Sequence, residues 1–203
     1  MDVLENKLGI TDSLELMRQE EKITKLKAKQ LFDQGIIQKL EVGTYRGLRM
    51  IHRYLFEAID DFAGMMRQVN IAKGDFRFAP VMFLTQSLQY IDQMPQATFD
   101  EIVEKYVEMN IAHPFREGNG RAMRIWLDLM FKQELDKVVD WSKVDKEDYL
   151  LAMQRSPIRT IEIKHVLKEA LTDAIHNRDL YMKGIDYSYY YEGYVEFKTS
   201  ELE

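Results

Sequence analysis

The fold and the chemistry of the chain are decided by residues 113–124, which read His113-Pro-Phe-Arg-Glu-Gly-Asn-Gly-Arg-Ala-Met-Arg124. Gly118 and Gly120 flank Asn119 directly before a predicted helix. Backbone N–H groups in such a turn can approach an anion without interference from a Cβ atom, and the start of the helix adds a favourable potential. The sequence therefore predicts a cradle for phosphate groups at the beginning of this helix.

Charged side chains around the cradle suit the same kind of ligand. Glu117 offers one hard carboxylate oxygen, and Mg²⁺ usually takes one or two carboxylates together with phosphates and water. Arg121 and Arg124 are three residues apart, so the helix would present both guanidinium groups on one face to the outer phosphates. His113 is the candidate base, because its ordinary pKa of about 6.5 allows it to accept a proton from a hydroxyl at neutral pH.

The rest of the chain is predicted to be all-α, because apolar residues recur mostly at helical spacing over the 203 residues. A charged helix is expected from Asp12, with Glu15 as its capping partner, to about Phe32. A core helix is expected from about Thr44 to Gly64. Its apolar stripe consists of Leu48, Ile51, Leu55, Ile59 and Phe62. Further helices are expected on both sides of Pro95, from Met123 to about Glu134, from Lys146 to Met153 and from Ile161 to His176.

A short β-hairpin is predicted near residues 74–83, where the helical spacing changes to alternation. The alternating residues are Phe76 and Phe78 with Asp75 and Arg77, followed by Ala79-Pro80 and the apolar run of Val81, Met82 and Phe83. From the pattern alone, a hairpin that covers the core and a strand edge that docks another chain are equally good explanations.

Composition limits the classes of function. Hydrophobic residues make up 46% and charged residues 31%, which is typical of a folded globular protein. The formal charge of −6 argues against generic binding to nucleic acid or anionic lipid, since both need a basic surface. The absence of cysteine excludes disulfides, thiolate metal sites and cysteine nucleophiles. No long apolar run occurs and residues 1–5 lack the order of a signal peptide, so we expect a cytoplasmic protein with no membrane contact.

The pattern of residues 113–124 resembles the defining motif of the Fic family, His-x-Phe-x-Asp/Glu-Gly-Asn-Gly-Arg-x-x-Arg, at every specified position. The resemblance implies a compact helical core (a Fido domain) with a small β-hairpin called the flap, and transfer of AMP from ATP to a Tyr, Thr or Ser hydroxyl. It also implies that His113 is the base and that Glu117 holds Mg²⁺. Residues 118–120 would then cradle the α- and β-phosphates, and the two arginines would hold the β/γ end.

A second motif lies near the C-terminus, where Ser188, Glu192 and Gly193 fit Ser/Thr-x-x-x-Glu-Gly/Asn. It resembles the inhibitory motif of Fic proteins and implies the single-domain class with a C-terminal inhibitory helix, class III. Glu192 would pair with Arg124 and occupy the guanidinium that the γ-phosphate needs. We therefore expect a helical extension at residues 1–40, a catalytic core at residues 41–180, and an inhibitory helix with its tail at residues 181–203.

Other residues have weaker assignments. Lys73, at the entry to the hairpin, could reach a phosphate of ATP, and the family resemblance favours the flap as the edge on which a target protein docks. The charged N-terminal helix and the tyrosine-rich end could pack between copies of the chain, giving a homo-oligomer. Modification of a tyrosine in the inhibitory segment could displace the helix; the candidates are Tyr187, Tyr189, Tyr190, Tyr191 and Tyr194.

Two other functions remain open at this point. Some Fic proteins remove AMP, and there a glutamate equivalent to Glu192 helps to position the attacking water. A non-catalytic regulatory binding partner is the second alternative, although a degenerate loop would then be expected in place of the intact motif. Histidines outside the motif are expected to be surface or packing residues; they are His52, His165 and His176.

Overall fold

Eight α-helices make up most of the part of the chain that the computed structural model describes, residues 4–74 and 76–203. In chain order the helices are α1 (Ser13–Asp33), α2 (Tyr45–Phe56), α3 (Val81–Gln93), α4 (Phe99–Ala112), α5 (Asn119–Leu135), α6 (Lys146–Arg155), α7 (Ile161–Glu169) and α8 (Arg178–Tyr191). Two antiparallel strand pairs accompany them: β1 (Ala72–Lys73) with β2 (Phe76–Arg77), and β3 (Val138–Val139) with β4 (Leu171–Thr172). The predicted all-α class with a small hairpin is confirmed.

The N-terminal helix has nearly the predicted bounds. Asp12 caps α1 by accepting a hydrogen bond from the backbone N–H of Glu15, as the sequence indicates. The helix ends at Asp33, and Gly35 follows with a φ of 65° that suits glycine. Residues 1–3 of the predicted N-terminal extension lie outside the described residues.

The second helix is shorter than predicted. It begins after Thr44 as expected but ends at Phe56, eight residues before Gly64. The chain continues in turns, in which the backbone N–H groups of Ile59 and Asp60 both bond to the carbonyl of Phe56. Ile59 is nevertheless fully buried, so its apolar spacing reflects contact with the core and not continuation of the helix.

The predicted hairpin is displaced toward the N-terminus. Ala72 pairs with Arg77 and Lys73 with Phe76, whereas the sequence placed the hairpin near residues 74–83. Val81, Met82 and Phe83 belong to the first turn of α3, directly after Pro80. An apolar run of this length fits a strand or a helix equally well, and burial of residues along α3 decides for the helix. Asp75, part of the predicted alternation, lies outside the described residues.

The C-terminal half contains a second difference from the predictions. The helix expected from Ile161 to His176 ends at Glu169, because the chain then forms the short strand β4 against β3. This pair of strands, two residues each, carries no alternation long enough to be recognised in the sequence. None of the described helices is long and apolar enough to cross a lipid bilayer.

The core lies around α2, α4 and α5, and it fixes the ends of the motif loop. The largest side chains that α4 and α5 bury completely include Tyr106, Trp126 and Phe131. Thr98 and Glu101 form a capping box at the start of α4. Because α4 ends at Ala112 and α5 begins at Asn119, residues 113–118 connect two helices that packing holds in place.

Candidate active site

His113 is held in a left-handed conformation, with a φ of 47°, immediately after the last residue of α4. Such a conformation costs a non-glycine residue on the order of 1–3 kcal/mol, so neighbouring contacts have to maintain it. Arg67 supplies them: its Nε donates to the carbonyl of His113 at 2.8 Å, its Nη2 donates to that of Ala112 at 3.0 Å, and its backbone N–H donates to Pro114. Sequence reasoning missed Arg67, since nothing in its own neighbourhood indicates these distant partners.

The imidazole of His113 is in a form that can accept a proton. Its Nδ1 lies 3.2 Å from the carbonyl oxygen of Asn110. Because a carbonyl oxygen can only accept a hydrogen bond, Nδ1 carries the hydrogen and Nε2 is unprotonated. The ring stacks on Phe78 at a centroid distance of 3.7 Å. Burial lowers the pKa of His113 to about 3, and the cations Arg67 and Lys73 add to that effect. The imidazole is therefore neutral at pH 7. The neutral fraction is larger than the ordinary histidine pKa, on which the prediction was based, would give.

The floor of the loop is formed by two aromatic rings. Phe115 is completely buried and stacks on His52 at a centroid distance of 3.9 Å. Nδ1 of His52 accepts from the backbone N–H of Gly64, so Nε2 is the protonated nitrogen and donates to the carbonyl of Glu117 at 2.8 Å. Burial lowers the pKa of His52 to about 3. The predicted packing role of His52 is confirmed, and the structure adds that it holds the backbone of the motif loop.

Asn119 closes the loop with its side chain. Its Oδ1 accepts from the backbone N–H of Phe115 at 2.9 Å, and its Nδ2 donates to the carbonyl of the same residue at 2.8 Å. Both polar ends of the amide are therefore engaged within the loop. The side chain of Asn119 therefore shapes the turn in this structure.

The two glycines are required for different reasons. Gly118 has a φ of 75°, and a Cβ atom there would lie 2.5 Å from the Phe56 ring. Gly120 is helical, but a Cβ atom there would lie 2.4 Å from Oε1 of Glu192. The carboxylate of Glu192 therefore rests directly against the first turn of α5, where the sequence predicts the phosphate cradle.

Arg124 brings the motif and the C-terminal helix together. Its Nε donates to Oγ of Ser188 at 2.7 Å, and its Nη2 donates to the carbonyl of Ser188 and to Oε1 of Glu192, both at 2.9 Å. Burial alone would raise the pKa of Glu192, but Arg124 and Lys73 outweigh it and lower the pKa to about 2. Gly193, with a φ of 95°, turns the chain away after this contact.

Arg121 has different partners from Arg124, although the two lie on neighbouring positions of α5. Its guanidinium pairs with the carboxylate of Glu20 in α1. It also lies 4.8 Å from the ring of Phe56 and 4.7 Å from the ring of Tyr194. Burial alone would lower the pKa of Arg121, and the negative charge of Glu20 reverses this and raises it. The two guanidinium groups therefore have different partners in this structure, and their predicted role in holding the outer phosphates stays a prediction.

The remaining predicted residues lie at the edges of the site. Glu117 is exposed at the mouth of the loop, where its carboxylate is accessible. Nζ of Lys73 lies 3.4 Å from Oε2 of Glu192, which links the flap to the C-terminal segment. Among the five tyrosines of that segment, Tyr187 and Tyr190 are exposed, Tyr194 is half-buried, and the other two are buried.

Comparison with known proteins identifies the family. The model of the Fic/DOC family matches residues 43–131. A "Probable protein adenylyltransferase Fic" from Escherichia coli (strain K12) is 31% identical over 169 residues, covering 76% of this chain and 80% of that protein. A protein of the same name from Salmonella typhimurium is 27% identical over 190 residues, covering 86% of this chain and 90% of that protein. The chain belongs to the Fic/DOC family.

Solved structures agree with this assignment at the level of the fold. BepC, a VirB-translocated effector protein of Bartonella tribocorum solved with bound AMPPNP, superposes with a TM-score of 0.67 at 18% identity, covering 84% of this chain and 92% of that one. The FIC domain of Bep8 from Bartonella sp. 1-1C gives a TM-score of 0.71 at 17% identity, covering 84% of this chain and 91% of that one. The fold is the mostly helical Fic fold.

The contact between Gly118 and Phe56 predicts a specific loss of stability. Gly118→Ala should lower the free energy of unfolding by about 3 kcal/mol, from the left-handed conformation and from overlap with the ring. Gly9→Ala is the matched control, because Gly9 has a φ of 66° but open space around its Cβ position; its loss should be about 1 kcal/mol. Urea unfolding measures both, and equal losses would show that the ring yields without cost.

The buried His52 predicts a pH dependence of stability. In the unfolded chain His52 binds a proton below its ordinary pKa of 6.5, whereas in the folded chain it stays neutral down to about 3. The wild type should therefore lose stability relative to His52→Gln as the pH falls below 6.5, by up to about 1.4 kcal/mol per pH unit. Urea titrations from pH 7.5 to 4.5 measure the difference, and a difference independent of pH would contradict the shift.

Proposed function

We propose that this chain, a protein adenylyltransferase of the Fic family, transfers AMP from ATP to a Tyr, Thr or Ser hydroxyl of a target protein and is inhibited by its own Glu192. The observation that supports this proposal is the position of the Glu192 carboxylate, which lies between Arg124 and the first turn of α5. A carboxylate there occupies an anion site, and a nucleotide phosphate is the anion that the motif is suited to hold. Relatives of the fold bind nucleotides, AMPPNP in one structure and ADP in another.

His113 is the proposed base. The oxygen of the target hydroxyl attacks the α-phosphorus, the bond to pyrophosphate breaks, and the hydroxyl proton passes to Nε2 of His113. The bond from Nδ1 to Asn110 fixes the ring in the tautomer that this step needs. A pKa of about 3 keeps Nε2 free of a proton before the attack, although it makes His113 a weak base.

The phosphates are assigned to the start of α5. Backbone N–H groups of residues 118–120 and the positive end of the helix stabilise the α- and β-phosphates. Arg124 holds the γ-phosphate once Glu192 has left its guanidinium. Arg121 contributes at the β/γ end from its buried position, and Lys73 is free to approach the nucleotide when its contact with Glu192 is broken.

Glu117 is the proposed ligand of Mg²⁺. The donor set fits, because Glu117 presents one exposed carboxylate beside the cradle and Mg²⁺ takes its other ligands from phosphates and water. When bound, the ion neutralises part of the charge on the phosphates. His52 holds the backbone carbonyl of Glu117, so the loop that presents this carboxylate is fixed before the nucleotide arrives.

The flap is the proposed docking edge for the target. Strands β1 and β2 are two residues each, and their outer edge can pair with an extended segment through main-chain hydrogen bonds. Phe78 continues from β2 onto the ring of His113, which brings such a segment toward the base.

Automodification of the C-terminal segment is assigned to Tyr187 and Tyr190, because these two are exposed while Glu192 is bound.

Release of Glu192 is the central test. Glu192→Gly should raise AMP transfer by about tenfold or more, because the carboxylate no longer competes for Arg124. Glu201→Gly is the control, since Glu201 is exposed in the same segment and pairs with Lys198. Adding His113→Ala to the released variant should lower transfer by about 100-fold or more. Labelled ATP and a cell lysate provide the measurement.

Equal transfer by wild type and Glu192→Gly would remove the inhibition from the proposal. No turnover of any nucleotide triphosphate by the released variant would favour a non-catalytic regulator.

AMP removal is the second candidate, because the same carboxylate lies beside the cradle and could orient a water. Release of AMP from a modified target without ATP, dependent on Glu192, would identify that reaction.

A further inference from the structure

The side chain of Arg121 is only 4% exposed, and its carboxylate partner lies outside the segment that the family model matches. The partner is Glu20 of α1, and the family model matches only residues 43–131. Nη1 of Arg121 donates to Oε1 of Glu20, whose side chain is 16% exposed. A buried charge pair of this kind loses much when one partner is removed, because the other charge is left uncompensated.

The position of Arg121 connects Glu20 to the phosphate cradle. Arg121 follows Gly120 directly and lies in the first turn of α5, whose backbone N–H groups form the cradle. Its guanidinium packs on the ring of Phe56, and the same ring closes against Gly118. Glu20, Arg121, Phe56 and the cradle thus form a continuous line of contacts.

A buried charge network that begins at Glu21, the residue after Glu20, holds α1 in place. Nζ of Lys25 lies 2.9 Å from Glu21 and 3.2 Å from Asp186 of α8. The carboxylate of Glu21 also accepts from the backbone N–H groups of Glu196 and Phe197, each at 3.1 Å. Because these partners hold the helix rigidly at this level, the carboxylate of Glu20 is presented to Arg121 in one position.

Glu20 also contacts the segment that follows the inhibitory glutamate. The hydroxyl of Tyr194 donates to Oε1 of Glu20 at 2.8 Å, the same oxygen that Arg121 uses. Neither contact of Glu20 involves Glu192, so replacing Glu192 by glycine removes neither of them. The pair between Glu20 and Arg121 is therefore available to the released enzyme as well as to the inhibited one.

We propose that Glu20 is a positioning residue for nucleotide binding, which fixes the phosphate cradle by holding Arg121 at the base of the first turn of α5. The inference rests on the proposed function, since the cradle is the proposed phosphate site. Glu20 touches no substrate; it acts through Arg121. A helix that precedes the segment matched by the family model thus completes the proposed nucleotide site.

The test uses the full chain in the Glu192→Gly background, so that inhibition does not interfere. Adding Glu20→Gln should raise KM for ATP in AMP transfer, and Kd for AMPPNP by calorimetry, by about tenfold or more, as loss of a partner that orients a ligating group typically does. Glu20→Asp keeps the charge on a shorter side chain and should raise both constants less. Glu15→Gln is the matched control, because it makes the same change on the exposed face of α1 and should leave both constants unchanged.

A purely structural role would lower the melting temperature of Glu20→Gln and leave KM and Kd at the parent values, and that result overturns the inference. If Glu20→Gln does not fold, Glu20→Asp decides: raised constants support the inference and parent values refute it. If the parent variant binds AMPPNP but transfers no AMP, the proposed function fails, and Kd still decides the role of Glu20.

Discussion

The arrangement of the site depends on one ion pair, between the buried guanidinium of Arg124 and the carboxylate of Glu192. An arginine that is 3% exposed has to be compensated by a negative group, and in this structure that group is Glu192, the residue directly after α8. The same carboxylate rests on the first turn of α5 and is reached by Lys73 of the flap. One side chain therefore joins the motif loop, the flap and the C-terminal helix.

The loop that this carboxylate covers is organised in advance by buried hydrogen bonds. Arg67 holds the backbone on the side of His113, His52 holds it at Glu117, and Asn119 closes it across the middle. All three groups hold the loop next to the first turn of α5, the proposed phosphate cradle. Such preorganisation is what allows backbone dipoles to stabilise charge on a reacting phosphate without further cost at the moment of reaction.

The sequence predicted those parts that depend on local chemistry. The glycines of the motif and the cap of α1 at Asp12 follow from residue types at fixed spacing. The pair of Glu192 with Arg124 was expected from the resemblance of the C-terminal motif to that of Fic proteins, and the bonds of Arg124 to Ser188 were not predicted. The predicted ends of two helices and the predicted position of the flap were wrong. In these places the apolar spacing reflects contact with the core and not the course of a helix or strand. Arg67 and Glu20 could not be predicted, because their partners lie 46 and 101 residues away in the chain.

The most direct measurement of the central claim is a crystal structure of the Glu192→Gly variant with Mg²⁺ and AMPPNP. The account predicts that the terminal phosphate bonds to Arg124 and lies over Gly120, in the space that the Glu192 carboxylate fills in the present structure. A triphosphate bound elsewhere, with Arg124 still bonded to Ser188 and no phosphate beside it, would contradict the claim.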